Sequence, residues 1–158
     1  MSVIYISSIV KYIDHKIVLL NKFREITSKI ADSDFDSLAG LIAERQVVIN
    51  DIDNKTEIIK NIISEQTDEV SGILSKLIRF EKVECSNEYK PVQEKSIELE
   101  NLLIQISEEE KAIHLKMENV KKGLEEDMLK SNKSRKVLDY FNSFVGNASS
   151  GNTFNSVT

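Results

Sequence analysis

The sequence predicts an all-α fold, namely an elongated antiparallel hairpin or bundle of long, coiled-coil-like helices. Two apolar series with a seven-residue repeat run through residues 99–124. The 158 residues include one proline and five glycines, and charged residues of both signs make up 30% of the chain. A seven-residue apolar repeat keeps one seam of a helix facing a partner helix. The composition is typical of helical bundles.

The first helix is predicted from about Val3 to about Ile30. Its apolar residues recur mostly at spacings of three and four, which is the period of one helix face. This stripe consists of Ile6, Val10, Ile13, Ile17, Leu20, Phe23, Ile26 and Ile30. The polar segment 31–34 ends the helix, and either Ser33 or Asp34 is suited to cap the next one.

The second helix is predicted from about Phe35 to Ile63. Its seam consists of Leu38, Ile42, Ile49, Ile52, Ile59 and Ile63. Arg45 and Thr56 occupy the two remaining slots of this seam. Three interpretations of Arg45 stay open at this point. In the first, its side chain extends to the surface; in the second, it pairs with a carboxylate across the bundle; in the third, it contacts a partner protein.

A long helix is predicted from about Val92 to about Val145, after a turn at 65–69 and a short amphipathic helix at about 70–78. Pro91 suits the first turn of this long helix, which would extend roughly 80 Å. Its two seam series are Leu99, Ile106, Ile113 and Val120, and Leu103, Glu110, Met117 and Leu124. Glu110 is the one polar member, and a seam of this length requires another helix to cover it.

Residues 1–145 are predicted to form one helical domain. Residues 146–158 carry no charge and are rich in Gly, Asn, Ser and Thr, which predicts a flexible C-terminal tail.

Catalytic, metal and cofactor sites are not predicted. The sequence contains no phosphate-binding glycine motif and no cluster of His, Cys and carboxylates at metal-ligand spacing. Cys85 is the only cysteine, which fits a reducing compartment. We find neither a signal-peptide pattern nor an apolar stretch long enough to span a membrane, so a cytoplasmic location is expected. The net charge of −5 argues against nucleic acid as a partner.

A basic and then aromatic segment follows the coiled-coil seam. Four basic residues lie within 130–136, and an aromatic-rich apolar face follows them. We interpret this segment as an amphipathic docking element for a helix of another protein. Packing against the first or second helix of the same chain is the alternative. The candidate partner-binding residues are Val137, Leu138, Tyr140, Phe141, Phe144 and Val145, with Arg45 as a further candidate.

The chain resembles the flagellar type III export chaperones of the FlgN/FliT-like group. One part of the resemblance is the size and the all-helical layout. The second is the passage from Asp34-Phe35-Asp36-Ser37-Leu38 through Leu41, the Glu44-Arg45 pair, Ile49, Ile52 and Asp53. The third is Leu138-Asp139-Tyr140-Phe141-Asn142, followed by the polar tail with Phe154.

The resemblance implies a small, acidic, cytosolic chaperone that is not an ATPase. Such a chaperone binds an axial protein, such as a hook-associated or filament-cap protein, prevents its premature assembly and passes it to the export apparatus. It also implies that the amphipathic segment at 137–145 carries the contact. The alternative function is that of a structural coiled-coil scaffold that self-assembles through the 99–124 seam, which would make the protein a homo-oligomer.

Overall fold

The computed structural model describes residues 2–127 together with Asp139, Tyr140, Asn142 and Ser143. It confirms the all-α prediction, and no strand occurs in this described part of the chain. The helices are α1 (Ser2–Asp32), α2 (Phe35–Ser64), α3 (Asp68–Ile78) and α4 (Lys90–Asp127). A short 3₁₀ turn, Asn87–Tyr89, leads into α4. None of the described helices is both long and apolar enough to cross a bilayer.

The helix boundaries follow local capping chemistry. The Asp34 side chain accepts a hydrogen bond from the Ser37 backbone N–H at the start of α2, so Asp34 rather than Ser33 is the cap of the two predicted candidates. Thr67 caps α3 in the same way by accepting from the Val70 N–H. Pro91 lies in the first turn of α4, where the missing N–H of proline costs no intrahelical hydrogen bond.

The end of α3 carries the one left-handed residue other than glycine in the described chain. Phe80 has a φ of 65°. Its N–H bonds to the Leu77 carbonyl, while the Glu81 N–H bonds to the Lys76 carbonyl. This hydrogen-bond pattern normally ends a helix with glycine. The chain leaves α3 at this turn, and α3 packs against both α2 and α4.

The first helix is the central one, and it packs against both α2 and α4. The Lys95 ammonium donates to the Asp14 carboxylate at 3.0 Å, and Lys116 lies 3.8 Å from Asp32 near the other end of α1. These contacts show that α4 runs parallel to α1. An ion pair of Arg24 with Glu109 joins the same two helices between these points. By contrast, α2 runs antiparallel to α1, so these two helices form the predicted hairpin.

The predicted apolar stripes form one continuous core. In α1 every predicted residue is buried except Val10, which is only partly buried, while Ile9 is buried instead. In α4 the fully buried members of the two seam series are Leu99, Ile106, Met117 and Leu124. Leu103, Ile113 and Val120 are partly buried against the same core. The seam is therefore covered by helices of the same chain.

Two predictions extend beyond the described residues. The structure describes α4 as a continuous helix up to Asp127, about 57 Å at 1.5 Å per residue. Asp139, Tyr140, Asn142 and Ser143 are also helical. The rest of the predicted helix up to Val145 lies outside the described residues, as does the predicted tail at 146–158.

Candidate functional site

The predicted docking segment is described at only one of its six candidate residues. Tyr140 is helical, and 46% of its surface is exposed. Its described neighbours Asp139, Asn142 and Ser143 are exposed as well. The other five candidates, Val137, Leu138, Phe141, Phe144 and Val145, lie outside the described residues. Their assignment to partner binding stays a prediction.

Arg45 forms a buried ion pair across the bundle. Its Nη2 donates to Glu110 Oε1 at 2.7 Å, and the two side chains are only 10% and 13% exposed. The guanidinium carbon lies 4.4 Å from the centre of the Phe23 ring, within the range of a cation–π contact. The structure therefore shows the second of the three interpretations, an intramolecular pair with a carboxylate. A partner contact through this guanidinium would require the pair to open.

Burial shifts the pKa of each member of this pair in the direction that favours its neutral form. The pKa of Arg45 is lowered by desolvation, and the attraction of Glu110 opposes this shift. Desolvation raises the pKa of Glu110, and the attraction of Arg45 opposes it. Each charge thus relies on the other to compensate the loss of water. Two of the three polar slots in the seams of α2 and α4 are therefore occupied by the members of this ion pair, and Thr56 occupies the third.

A second set of polar side chains lies in the core, and only Thr56 among its three residues is predicted from the sequence as part of a seam. Lys16 of α1, Thr56 of α2 and Ser96 of α4 are all buried, and Lys16 is only 3% exposed. The Thr56 hydroxyl donates to the Ile52 carbonyl in its own helix. One signal for Lys16 exists in the sequence, because it lies three residues after Ile13 and four before Leu20, on the apolar face.

The Lys16 ammonium is strongly affected by its surroundings. Desolvation lowers the pKa of Lys16 from 10.5 to about 8, and the repulsion by Lys60 adds to this effect. The attraction of Asp53 opposes the shift. Because the pKa is lower in the folded state, the unfolded chain binds more protons between about pH 8 and pH 10.5. The charge on Lys16 therefore destabilises the fold at neutral pH, and this cost disappears as the pH rises through that range.

Replacing Lys16 with methionine should stabilise the protein at pH 7, because the variant buries an apolar chain of similar length without a charge. We expect the free energy of unfolding to rise by about 1–3 kcal/mol in low-salt phosphate buffer. The advantage of Lys16→Met should shrink as the pH approaches 10.5. Urea unfolding at a series of pH values measures this difference. A variant that is less stable than the parent at pH 7 would show that the Lys16 charge does not destabilise the fold.

A groove of about 680 Å³ lies between the C-terminal half of α1 and α4. The buried Phe23 and Ile106 lie beneath it, the partly buried Ile113 contributes apolar surface, and Arg24 pairs with Glu109 at the same place. The buried hydroxyl of Thr27 also lines it and has no hydrogen-bond partner among the described residues. The groove offers apolar surface with an ion pair at its edge.

Metal-ligating residues are not clustered in the part of the chain that the structure describes. No group of three or more His, Cys, Asp or Glu side chains there is arranged to hold a metal ion. The predictions of no cofactor and no enzymatic activity stay predictions.

No family model matches this chain, and neither a curated protein nor a solved structure matches it. The resemblance to the FlgN/FliT-like export chaperones therefore rests only on the residues that carry it in the sequence.

Proposed function

We propose that this protein is a chaperone that binds an amphipathic helix of a client protein. The finer form of the proposal is a cytosolic flagellar export chaperone whose client is a hook-associated or filament-cap axial protein. In this role the chaperone holds the client unassembled and delivers it to the export apparatus. The client contact is assigned to the segment 137–145, with its aromatic residues as anchors.

The observation that supports this assignment most is the exposure of the described part of the segment. Asp139, Tyr140, Asn142 and Ser143 are helical and exposed. The helical repeat expected from the sequence places these four residues, including the candidate Tyr140, on the face opposite the other five candidates. An aromatic and aliphatic stripe of this kind is what helix-in-groove recognition uses.

The alternative function, a self-assembling scaffold, is less compatible with this fold because most of the required seam is already packed. It requires the seam at 99–124 as a surface for self-assembly. That seam packs into the core shared with the other helices of the same chain. Self-assembly through this seam would therefore be limited to its partly buried members, such as Ile113 in the groove beside α1.

Truncation after Asn132 tests the assignment of the contact. We expect the truncated protein to keep its helicity and its thermal midpoint, because the core residues of α1 to α4 all precede this point. Client capture should be lost, since each aromatic anchor of an interface typically contributes about 2 kcal/mol or more. Circular dichroism and a pull-down of the axial protein from the native host measure the two properties.

Two point variants of the full chain refine the test. Phe141→Asp changes an apolar candidate, and Ser143→Asp adds the same charge on the exposed side of the segment. We expect only Phe141→Asp to abolish capture. A folded truncation that still captures the client would refute the assigned segment. A truncation that loses its helicity and aggregates would show that the segment belongs to the core of this chain.

A further inference from the structure

A small cavity lies in the core at the level of Lys16, and all four helices contribute to its wall. Its volume is about 20 Å³, which is enough for a single particle of roughly the size of a water molecule. The apolar part of the wall is formed by Ile13, Ile59, Ile78 and Leu99. The polar part is formed by Lys16, Thr56, Lys60 and Ser96.

The charges around this cavity are predominantly positive. Lys16 is almost fully buried, and Asp53 is the carboxylate whose attraction acts on its ammonium. Two charged groups of α2 act on it, and the repulsion by Lys60 is larger than the attraction by Asp53. The residues that α3 and α4 contribute to the wall, Ile78, Ser96 and Leu99, carry no charge. The pKa of about 8 means that Lys16 is mostly protonated at pH 7.

The cavity also contains an unused hydrogen-bond donor. Ser96 Oγ is buried and has no hydrogen-bond partner among the described residues. The Thr56 hydroxyl already donates its proton to a backbone carbonyl. The wall therefore combines a buried lysine with a hydroxyl that has no hydrogen-bond partner among the described residues. Leaving such groups unsatisfied in a protein interior is costly.

We propose that this cavity is a binding site for a monatomic halide anion such as chloride, held by the ammonium of Lys16 and the hydroxyl of Ser96. An anion satisfies both donors and neutralises the buried charge, whereas a water molecule satisfies the donors without supplying a negative charge. The water-sized space between these side chains suits a monatomic anion better than phosphate or a carboxylate. Lys60, which is partly exposed at the same cavity, adds to the positive potential that attracts the ion.

Thermal unfolding of the full chain in different salts tests the site. The protein is heated at pH 7 in sodium chloride, sodium bromide or sodium gluconate at equal ionic strength, since gluconate is too large to enter. We expect the midpoint to lie about 2–4 °C higher in the two halides than in gluconate. Lys16→Met should lose this difference, and Ser96→Ala should reduce it. Lys22→Met removes an exposed lysine of the same helix and should keep the full difference.

Bromide in a crystal of the protein gives a direct readout. We expect an anomalous bromine peak between the side chains of Lys16 and Ser96, and none at this place in the Lys16→Met variant. Equal midpoints in all three salts, or a halide effect that persists in Lys16→Met, would overturn the proposal. So would a bromide-soaked crystal with no peak in the cavity. In those cases the cavity holds a water molecule or nothing.

Discussion

Replacing Glu110 with leucine should destabilise the protein by about 3–5 kcal/mol. The change leaves the Arg45 guanidinium buried beside Phe23 without the carboxylate 2.7 Å away that compensates its charge. Removing one member of a buried ion pair is costly because the remaining charge is shielded from water and has lost a carboxylate that compensated it. Urea unfolding followed by circular dichroism measures the effect. Glu109→Leu provides a matched control, since its ion pair with Arg24 is more exposed.

The double variant Arg45→Leu/Glu110→Leu distinguishes the cost of leaving one buried charge uncompensated from the cost of replacing Glu110 itself. We expect it to recover most of the lost stability, because replacing both partners with apolar side chains removes two desolvation costs together. The exchange variant Arg45→Glu/Glu110→Arg should also be more stable than Glu110→Leu. If Glu110→Leu leaves the unfolding midpoint unchanged, the buried Arg45 charge does not need this carboxylate to compensate it, and the ion pair does not stabilise the core.

Ile106→Asp should destabilise the protein by about 4 kcal/mol or more. Ile106 is 1% exposed in the centre of the α4 seam, so the substitution creates a cavity and introduces a buried carboxylate. Ile104→Asp is the matched control, because Ile104 lies two residues away on the same helix and is 52% exposed. We expect the control to change the free energy of unfolding by less than about 1 kcal/mol.

Thermal and urea unfolding of both variants test this assignment of the seam. A similar loss of stability in both would mean that α4 does not bury Ile106 in preference to Ile104. Ile113→Asp should have an intermediate effect, because Ile113 is only partly buried although it belongs to the same seven-residue series. The sequence repeat alone does not distinguish Ile106 from Ile113.

The sequence alone predicts the helices because their causes are local. Backbone hydrogen bonds within a helix join residues four apart, and caps such as Asp34 act on the residues next to them. The apolar period shows which face of each helix is buried, and Pro91 shows where α4 begins. For the same reason the Arg45 and Glu110 positions are recognisable in the sequence as polar gaps in two seams.

Only the tertiary structure decides which of the polar residues that interrupt the apolar seams contact each other. Arg45 and Glu110 lie 65 residues apart, and their pairing depends on the register between α2 and α4, which no local pattern contains. Lys16 likewise becomes buried only because Ser96 of α4 and Ile78 of α3 close the space around it. The physical reason is that a helix forms from contacts within one turn, whereas the charge and burial of a core residue depend on side chains from other helices.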